Sequence, residues 1–353
     1  TGANDTMSML QASTLGLAPS SASIMRWVIL ATLPGLLAMT FYFGLGVLTN
    51  VAVAAGVAML AEAAVIALRR RRVVATLTDG SALLTGVLLG ASLPPGSPWW
   101  LLAVGAIAAV VVAKQLYGGL GHNPFNPAMV GYALLLVSFP TYMTLWPVPH
   151  QAGSMATLWA QVSGTLSAAE LDALSGATPL DAFKHKGLTG ADEFWAAAAL
   201  EDTVQAWRLI ALAWLAGGLL LLFKRVISWH IPVAMLGSMA LLAALLYDLD
   251  SDQYASPLFH LTMGATLFGA FFIATDPVSA ATSRRGKLLF GIGIGVLVMI
   301  IRTFGGYPDA VAFAVLLMNL CVPLLDLYSA PVPTGHRPTE RRPTGHRSPA
   351  RRP

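Results

Sequence analysis

The chain has 353 residues, of which 56% are hydrophobic and only 11% charged, and its mean hydropathy is +0.68. Soluble proteins carry roughly 25% charged residues, so an ordinary water-soluble enzyme is excluded and lipid must solvate much of the surface. The net charge of +4 does not point to nucleic acid, because a C-terminal tail with six arginines against Glu340 carries +5 alone and leaves −1 for the rest.

In chain order, residues 1–25 are polar, rich in Ser and Ala, and lack the basic start of a cleaved signal peptide. Apolar stretches then predict ten crossings, near 26–46, 48–68, 80–93, 99–113, 127–146, 207–223, 231–247, 258–275, 288–303 and 308–327. The third has about 14 residues before Pro94-Pro95, fewer than the ~20 an upright helix needs, so it predicts a broken helix that lines protein rather than lipid. Basic residues follow every second span: Arg69, Arg70, Arg71 and Arg72, then Lys114, Lys224 with Arg225, Arg284 with Arg285 and Lys287, and the arginine tail. Basic loops stay in the cytoplasm, which puts both termini there. The opposite loops are poor in positive charge: 248–252 holds Asp248, Asp250 and Asp252, and 147–206 holds seven acids against Lys184 and Lys186. The expected fold class is an all-α polytopic membrane protein with five helices in 26–146, a large external loop at 147–206, five more helices in 207–328, and a disordered basic tail at 329–353.

The two halves repeat. Ala82-Leu-Leu-Thr-Gly86 and Ala91-Ser-Leu-Pro94 fall on Ala265-Thr-Leu-Phe-Gly269 and Ala274-Thr-Asp-Pro277 at an offset of 183. Pro127, Val130, Tyr132, Ala133, Leu135 and Leu136 fall on Pro308, Val311, Phe313, Ala314, Leu316 and Leu317 at an offset of 181. Five crossings per unit is an odd number, so the second copy is expected upside down, an inverted 5+5 repeat.

Candidate chemistry follows the same order. Glu62 falls inside the second span, where a carboxylate is costly and faces the bundle interior; it is a candidate for cation coupling or a partner for the nearby arginines. Lys114 and Arg302 are expected to snorkel toward the interface. The turn-rich Gly118-Gly-Leu-Gly-His-Asn123-Pro-Phe-Asn126-Pro127 leaves two readings open: a re-entrant turn whose Asn123 and Asn126 amides meet a ligand, or a Gly/Pro loop that packs two broken helices. In the external loop, Asp172-Ala-Leu-Ser175-Gly176-Ala177-Thr178-Pro179 sets small residues before a threonine that Pro179 biases toward an extended conformation, displaying an esterifiable hydroxyl. Asp276 and Asp309, beside Pro277 and Pro308, are further candidates for cation coupling, or else helix caps. Cys321 is the sole cysteine, so the chain alone holds neither a disulfide nor an iron–sulfur cluster. The seven histidines show no close helical pairing, no metal site is expected, and no residue is assigned a catalytic role.

Asp-x-x-Ser-Gly-Ala-Thr resembles the acceptor motif on which a flavin transferase builds a phosphoester between FMN and threonine. With Lys114-Gln-Leu-Tyr-Gly-Gly-Leu-Gly-His-Asn-Pro-Phe-Asn-Pro127, Ala274-Thr-Asp-Pro-Val278 and Ile301-Arg-Thr-Phe-Gly-Gly-Tyr-Pro-Asp309, the chain from about 25 to 328 resembles the RnfD/NqrB family, and its length favours the Rnf branch. The resemblance implies covalent FMN on Thr178, with Asp172, Ser175, Gly176 and Ala177 as the transferase's recognition elements. It implies a bacterial inner-membrane subunit with loop 147–206 in the periplasm. It further implies partnership with the other Rnf subunits (A, B, C, E) and above all the FMN-bearing G subunit, and electron flow between ferredoxin and NAD coupled to Na⁺ or H⁺ movement. A second, non-covalent flavin such as riboflavin, near Asn123 and Asn126, is a further implication, as in the quinone reductase relative. Lys184, Lys186 or backbone N–H groups are expected to offset the phosphate charge. The rival class is an inverted-repeat channel or transporter without redox role, which has no use for an esterified threonine.

Overall fold

The computed structural model describes residues 21–151, 153–187, 194, 198–307 and 309–329. The segment before residue 21, the tail from 330, Asp192, Glu193 and Pro308 lie outside these. Among the described residues, ten helical segments outside the 147–206 loop make up the two halves, with shorter turns of helix between them. In the first half they are α1 (Ser21–Phe43), α2 (Gly46–Leu68), α3 (Ser81–Ser92), α4 (Trp99–Ile107, continuing as a π-helix over Ala108–Gln115) and α5 (Pro127–Ser138). In the second they are α6 (Ala198–Phe223), α7 (His230–Leu249), α8 (Thr266–Phe268, continuing as a π-helix over Gly269–Ile273), α9 (Arg284–Phe304) and α10 (Val311–Ser329).

Among the described residues, six helices are long and apolar enough to cross a membrane: α1, α2, α7, α9, α10 and, within α6, Glu201–Phe223. Their outer faces are greasy: Leu37, Phe41, Leu60, Leu241, Leu245 and Leu320 are all exposed. Large apolar side chains turned outward on helix after helix are the surface of a polytopic membrane protein, with lipid standing where water would stand.

The remaining apolar segments are shorter or broken, each for a local reason. Helix α3 has 12 residues, about 18 Å at ~1.5 Å per residue, and stops at Leu93 before Pro94-Pro95. The fifth predicted span, drawn from 127 to 146, ends at Ser138. Phe139 precedes Pro140 and leaves the helical region at φ −134° and ψ 54°, and a separate turn of helix follows over Pro140–Thr144. The eighth, drawn unbroken from 258 to 275, is split into Pro257–Thr262 and α8 by a turn around Gly264 at φ +66°, a conformation that L side chains avoid. Helix α1 already includes Ser21, five residues before the expected start, and α6 includes Ala198, so Glu201 and Asp202 are helical.

The two halves pack on each other as well as within themselves. Helix α2 lies against α3 and α4, while α7 lies against α9 and the segments on either side of the Gly264 turn. Across the halves, α1 meets α6 and α5 meets α10. One buried cluster runs through both halves, from Leu89, Leu101 and Leu135 to Met235, Phe290 and Ile294.

Candidate functional site

The segment carrying Thr178 is built onto the end of the first half. Trp146–Pro147 pairs antiparallel with Ser175–Gly176, Trp146 opposite Gly176 and Pro147 opposite Ser175. A Cβ on Gly176 would fall 2.6 Å from Val148 Cγ2, so only glycine permits this approach. Upstream, Ala168–Leu174 is a helix held by a capping box. Glu170 N donates to Ser167 Oγ, while Ser167 Oγ at 2.7 Å and Ser167 N at 2.8 Å both donate to Glu170 Oε2, two bonds that hold the Glu170 carboxyl below the usual carboxylate range. Asp172 and Ala177 are exposed, and Ser175 Oγ donates to the Asp172 carbonyl at 3.0 Å.

Thr178 is half-buried and extended, at φ −67° and ψ 157°, and caps a short helix over Pro179–Lys184. Its Oγ1 accepts from Asp181 N at 3.3 Å, and Pro179 occupies the first helical position. Leu180 is driven into the bundle, and Lys184 donates to the carbonyls of Tyr307 at 2.8 Å and Arg302 at 3.2 Å. Burial holds the Lys184 ammonium below the usual lysine range against an opposing pull from Asp181. Lys186 Nζ reaches the Asp252 carbonyl at 2.6 Å. The expectation that these lysines stand ready for a phosphate at Thr178 meets a structure in which both ammonium groups hold backbone carbonyls.

Thr178 and Pro179 stand on the wall of a cavity between the loop and the bundle. It offers about 160 Å³ for the centres of water molecules, far beyond the ~10–15 Å³ that one water requires. Its lining is mostly apolar and aromatic, with Met129, Trp146, Trp207, Trp214 and Phe268 among the walls, and Tyr132, Tyr307 and Asp309 supplying polarity.

Asp309 is committed on every side. Its Oδ1 accepts from Arg302 Nη2 at 3.0 Å and from Ala310 N at 2.8 Å, and its Oδ2 accepts from Ala265 N at 2.7 Å. One carboxylate thereby ties the turn before α8 to the start of α10, where backbone N–H groups favour an anion. Arg302 also donates to Thr266 Oγ1 at 2.9 Å and to the His260 carbonyl at 2.9 Å. It is buried, and the expectation of snorkelling is corrected: a long cation with an acid and several oxygens within reach is better held inside than extended to the interface.

Lys114 needs the same correction. Its Nζ lies 2.6 Å from Glu62 Oε1 and donates to Ser81 Oγ at 2.6 Å, with both side chains of the ion pair out of solvent. Gln115 Nε2 donates to the same Glu62 oxygen at 2.7 Å, while the arginine cluster reaches this group only through Arg69, which donates to the Gln115 carbonyl at 2.6 Å. Glu62 Oε2 has no partner. Asn126 caps α5 by accepting from Met129 N at 3.2 Å. It also donates to the Ile273 carbonyl at the end of α8, and its N–H donates to Asn319 Oδ1 on α10. Asn319 continues to the Ser279 carbonyl, and Ser279 donates to Asp276 Oδ2 at 2.6 Å. Asn126 and Asp276 therefore share one network, in which Asp276 caps a turn. Asn123 donates to the Phe125 carbonyl, and its buried Oδ1 is unpartnered. The Asn126 network touches the Thr178 cavity through Met129 and Ile273, which line it, whereas Glu62 is not among the lining residues. Among the described residues no three metal-ligating side chains converge.

Sequence reasoning passed over Asn319 and the ion-pairing roles of Lys114 and Arg302. Their partners lie on other helices, so only the cost of an isolated charge in lipid could have signalled them. Comparison with known proteins adds a family. The family described as NQR2, RnfD, RnfE matches residues 13–335. A Yersinia enterocolitica protein, named as the D subunit of an ion-translocating oxidoreductase complex, is 50% identical over 334 residues, covering 90% of this chain and 95% of the relative. Proteins of the same name from Alcanivorax borkumensis and Escherichia coli are 49% and 48% identical, covering 91% and 90% of this chain and 95% of each relative.

Proposed function

The chain belongs to the NQR2, RnfD, RnfE family, and from that membership we propose that it is the membrane subunit of an Rnf-type ferredoxin:NAD oxidoreductase complex that relays electrons through FMN esterified to Thr178. One observation carries this reading: the Thr178 hydroxyl stands in an extended segment on the wall of an aromatic cavity.

The residues present fit such a group. Flat aromatic walls suit a planar ring system, the cavity is open enough to admit one, and the small residues Ser175, Gly176 and Ala177 leave the approach to Thr178 unobstructed. Bound FMN would supply one-electron chemistry that no side chain here provides. The chain's own work is to hold and to shield. Gly176 and the strand pair fix the tether, Leu180 and Lys184 clamp the helix after Thr178 onto the bundle, and Trp146, Trp207 and Trp214 keep water from the cavity's sides.

The same proposal includes the finer architecture: ten membrane segments as an inverted 5+5 repeat, both termini cytoplasmic, and loop 147–206 in the periplasm of a bacterial inner membrane. Direct packing of α1 on α6 and of α5 on α10 supports it, as does the positive-φ glycine ahead of each matched segment, Gly80 before α3 and Gly264 before α8. Maturation requires a flavin transferase, and the electron partners are the other Rnf subunits, chiefly the G subunit with its own FMN. Coupling to Na⁺ or H⁺ is assigned to Glu62, Asp276 and Asp309, each now tied to a neighbour whose release would free an oxygen. A second flavin belongs near Asn123, whose unpartnered oxygen is the acceptor left there.

The test is a denaturing gel of the chain matured in a host that has the transferase. A yellow fluorescent band that disappears in Thr178→Ala, with an FMN phosphoester mass on the peptide spanning 170–186, is the expected result. An unmodified peptide from that host overturns the reading and leaves the channel or transporter class in its place.

A further inference from the structure

The cavity beside Thr178 contains few hydroxyls, and most are spent. Ser92 Oγ donates to the Leu88 carbonyl at 2.7 Å, and Thr144 Oγ1 donates to the carbonyls of Thr141 and Pro140. Thr178 is the attachment point. Two phenols remain, Tyr132 and Tyr307, and neither hydroxyl has a hydrogen-bond partner among the described residues. Tyr307 belongs to the segment after α9, its carbonyl held by Lys184 and its ring tilted against Phe313 at 5.1 Å. Tyr132 rises from the interior of α5 on the same face as Met129 and Leu136, both of which line the cavity, so a rigid helix presents it.

The repeat singles out the same residue. Tyr132 corresponds to Phe313 in the second copy, and Phe313 does not line the cavity. The aromatic ring occurs in both copies, whereas the hydroxyl occurs only in the copy facing the cavity. Packing alone would be satisfied by phenylalanine at both positions. An unpaired phenol on an apolar wall is costly unless a ligand satisfies it, because a hydroxyl withdrawn from water without a hydrogen bond is destabilising.

Resting on the reading of Thr178 as a flavin attachment point, we infer that the Tyr132 hydroxyl donates a hydrogen bond to a nitrogen or carbonyl oxygen of the flavin ring and thereby raises its reduction potential. The direction follows from charge. A reduced ring carries more electron density on those atoms, so a fixed donor stabilises it more than the oxidised ring, most strongly where water is excluded. Tyr132 is thus a cofactor-contacting residue that tunes the relay rather than one that holds the tether.

The test uses the full chain co-expressed with a flavin transferase and purified in detergent, as wild type, Tyr132→Phe and Tyr307→Phe. Denaturing-gel fluorescence reports attachment, and a redox titration followed by flavin absorbance reports the potential. Tyr132→Phe keeps the ring and its packing, so the fluorescent band should stay at wild-type intensity. The equilibrium between oxidised and reduced ring should shift about tenfold toward oxidised, a fall of ~59 mV for a one-electron step, with a displaced absorption maximum. Tyr307→Phe should shift it several-fold less. A normal band with wild-type potential and spectrum in Tyr132→Phe overturns this inference and leaves the attachment reading standing. A wild-type protein without a fluorescent band overturns both.

Discussion

Lys114 and Glu62 show what a single residue pair costs in this bundle. With side chains 2% and 0% exposed, neither charge can turn to water if the other is removed. Lys114→Ala should therefore lower stability by about 3–5 kcal/mol, the usual penalty for stranding a buried charge. Replacing both partners, as Lys114→Met with Glu62→Gln, should cost much less because no ion is left behind. Thermal unfolding in detergent decides the matter, and a Lys114→Ala protein as stable as its parent would show that water reaches the pair. At Thr178 the same scale gives a smaller number. Loss of the helix cap in Thr178→Ala removes about 1 kcal/mol from a local segment, so loss of flavin fluorescence in that variant cannot be ascribed to global unfolding. The extended conformation of Thr178 was legible in the sequence, since the proline after it acts on the neighbouring residue. The Lys114 pairing was not, because its partner is 52 residues away on another helix and no local pattern records the meeting.

Elements here are shaped by their interruptions. Pro94-Pro95 stops α3 and Pro140 stops α5, both by restricting the preceding residue, and the first of these stops was visible from the length of its apolar run. The break before α8 was hidden because a lone Gly264 in an apolar run also suits a continuous helix; its positive φ is set by what packs around it. A Cβ at Gly264 would lie 2.5 Å from Leu180 Cδ1 and 2.6 Å from Asp309 Oδ2. Gly264→Ala should therefore combine backbone strain of ~1–3 kcal/mol with a push against the helix that follows Thr178. Hydrogen exchange over 179–184 should rise severalfold, and unchanged protection there would mean the loop is not clamped through Leu180. The helix over Ala168–Leu174 carries a pH dependence. Glu170 has its pKa lowered by Ser167, so the capping box contributes its stability above the usual carboxylate range and loses it as pH falls through the lowered value. Proteolysis of the loop by an acid-active protease should accelerate across that window in the parent. In Glu170→Gln, whose amide caps without titrating, the acceleration should be absent.

At the scale of the whole molecule, the two halves are joined by groups that belong to neither alone. Asn126 of the first half bonds Asn319 and the Ile273 carbonyl of the second, and the segment after Thr178 is clamped between the end of α9 and the start of α10. The sequence offers two short matches at nearly equal offsets between the halves, but it did not show the joints, since they use residues outside the matched words. An inverted arrangement makes one demand that a parallel one does not: the turns around Asp172 and Asp252 must share one side of the membrane, and those around Arg71 and Arg285 the other. The structure gives this demand a local link, for Lys186, in the same loop as Asp172, bonds the Asp252 carbonyl. Single cysteines at these four exposed positions, in a Cys321→Ser background and in intact inner-membrane vesicles of known sidedness, measure it with a membrane-impermeant thiol reagent. Asp172→Cys and Asp252→Cys should label from the periplasmic face and Arg71→Cys and Arg285→Cys from the cytoplasmic face, each at least tenfold over the opposite side. Labelling of Asp172→Cys and Arg71→Cys from the same face would break the odd count of crossings between them, and with it the inverted repeat and the external position of Thr178.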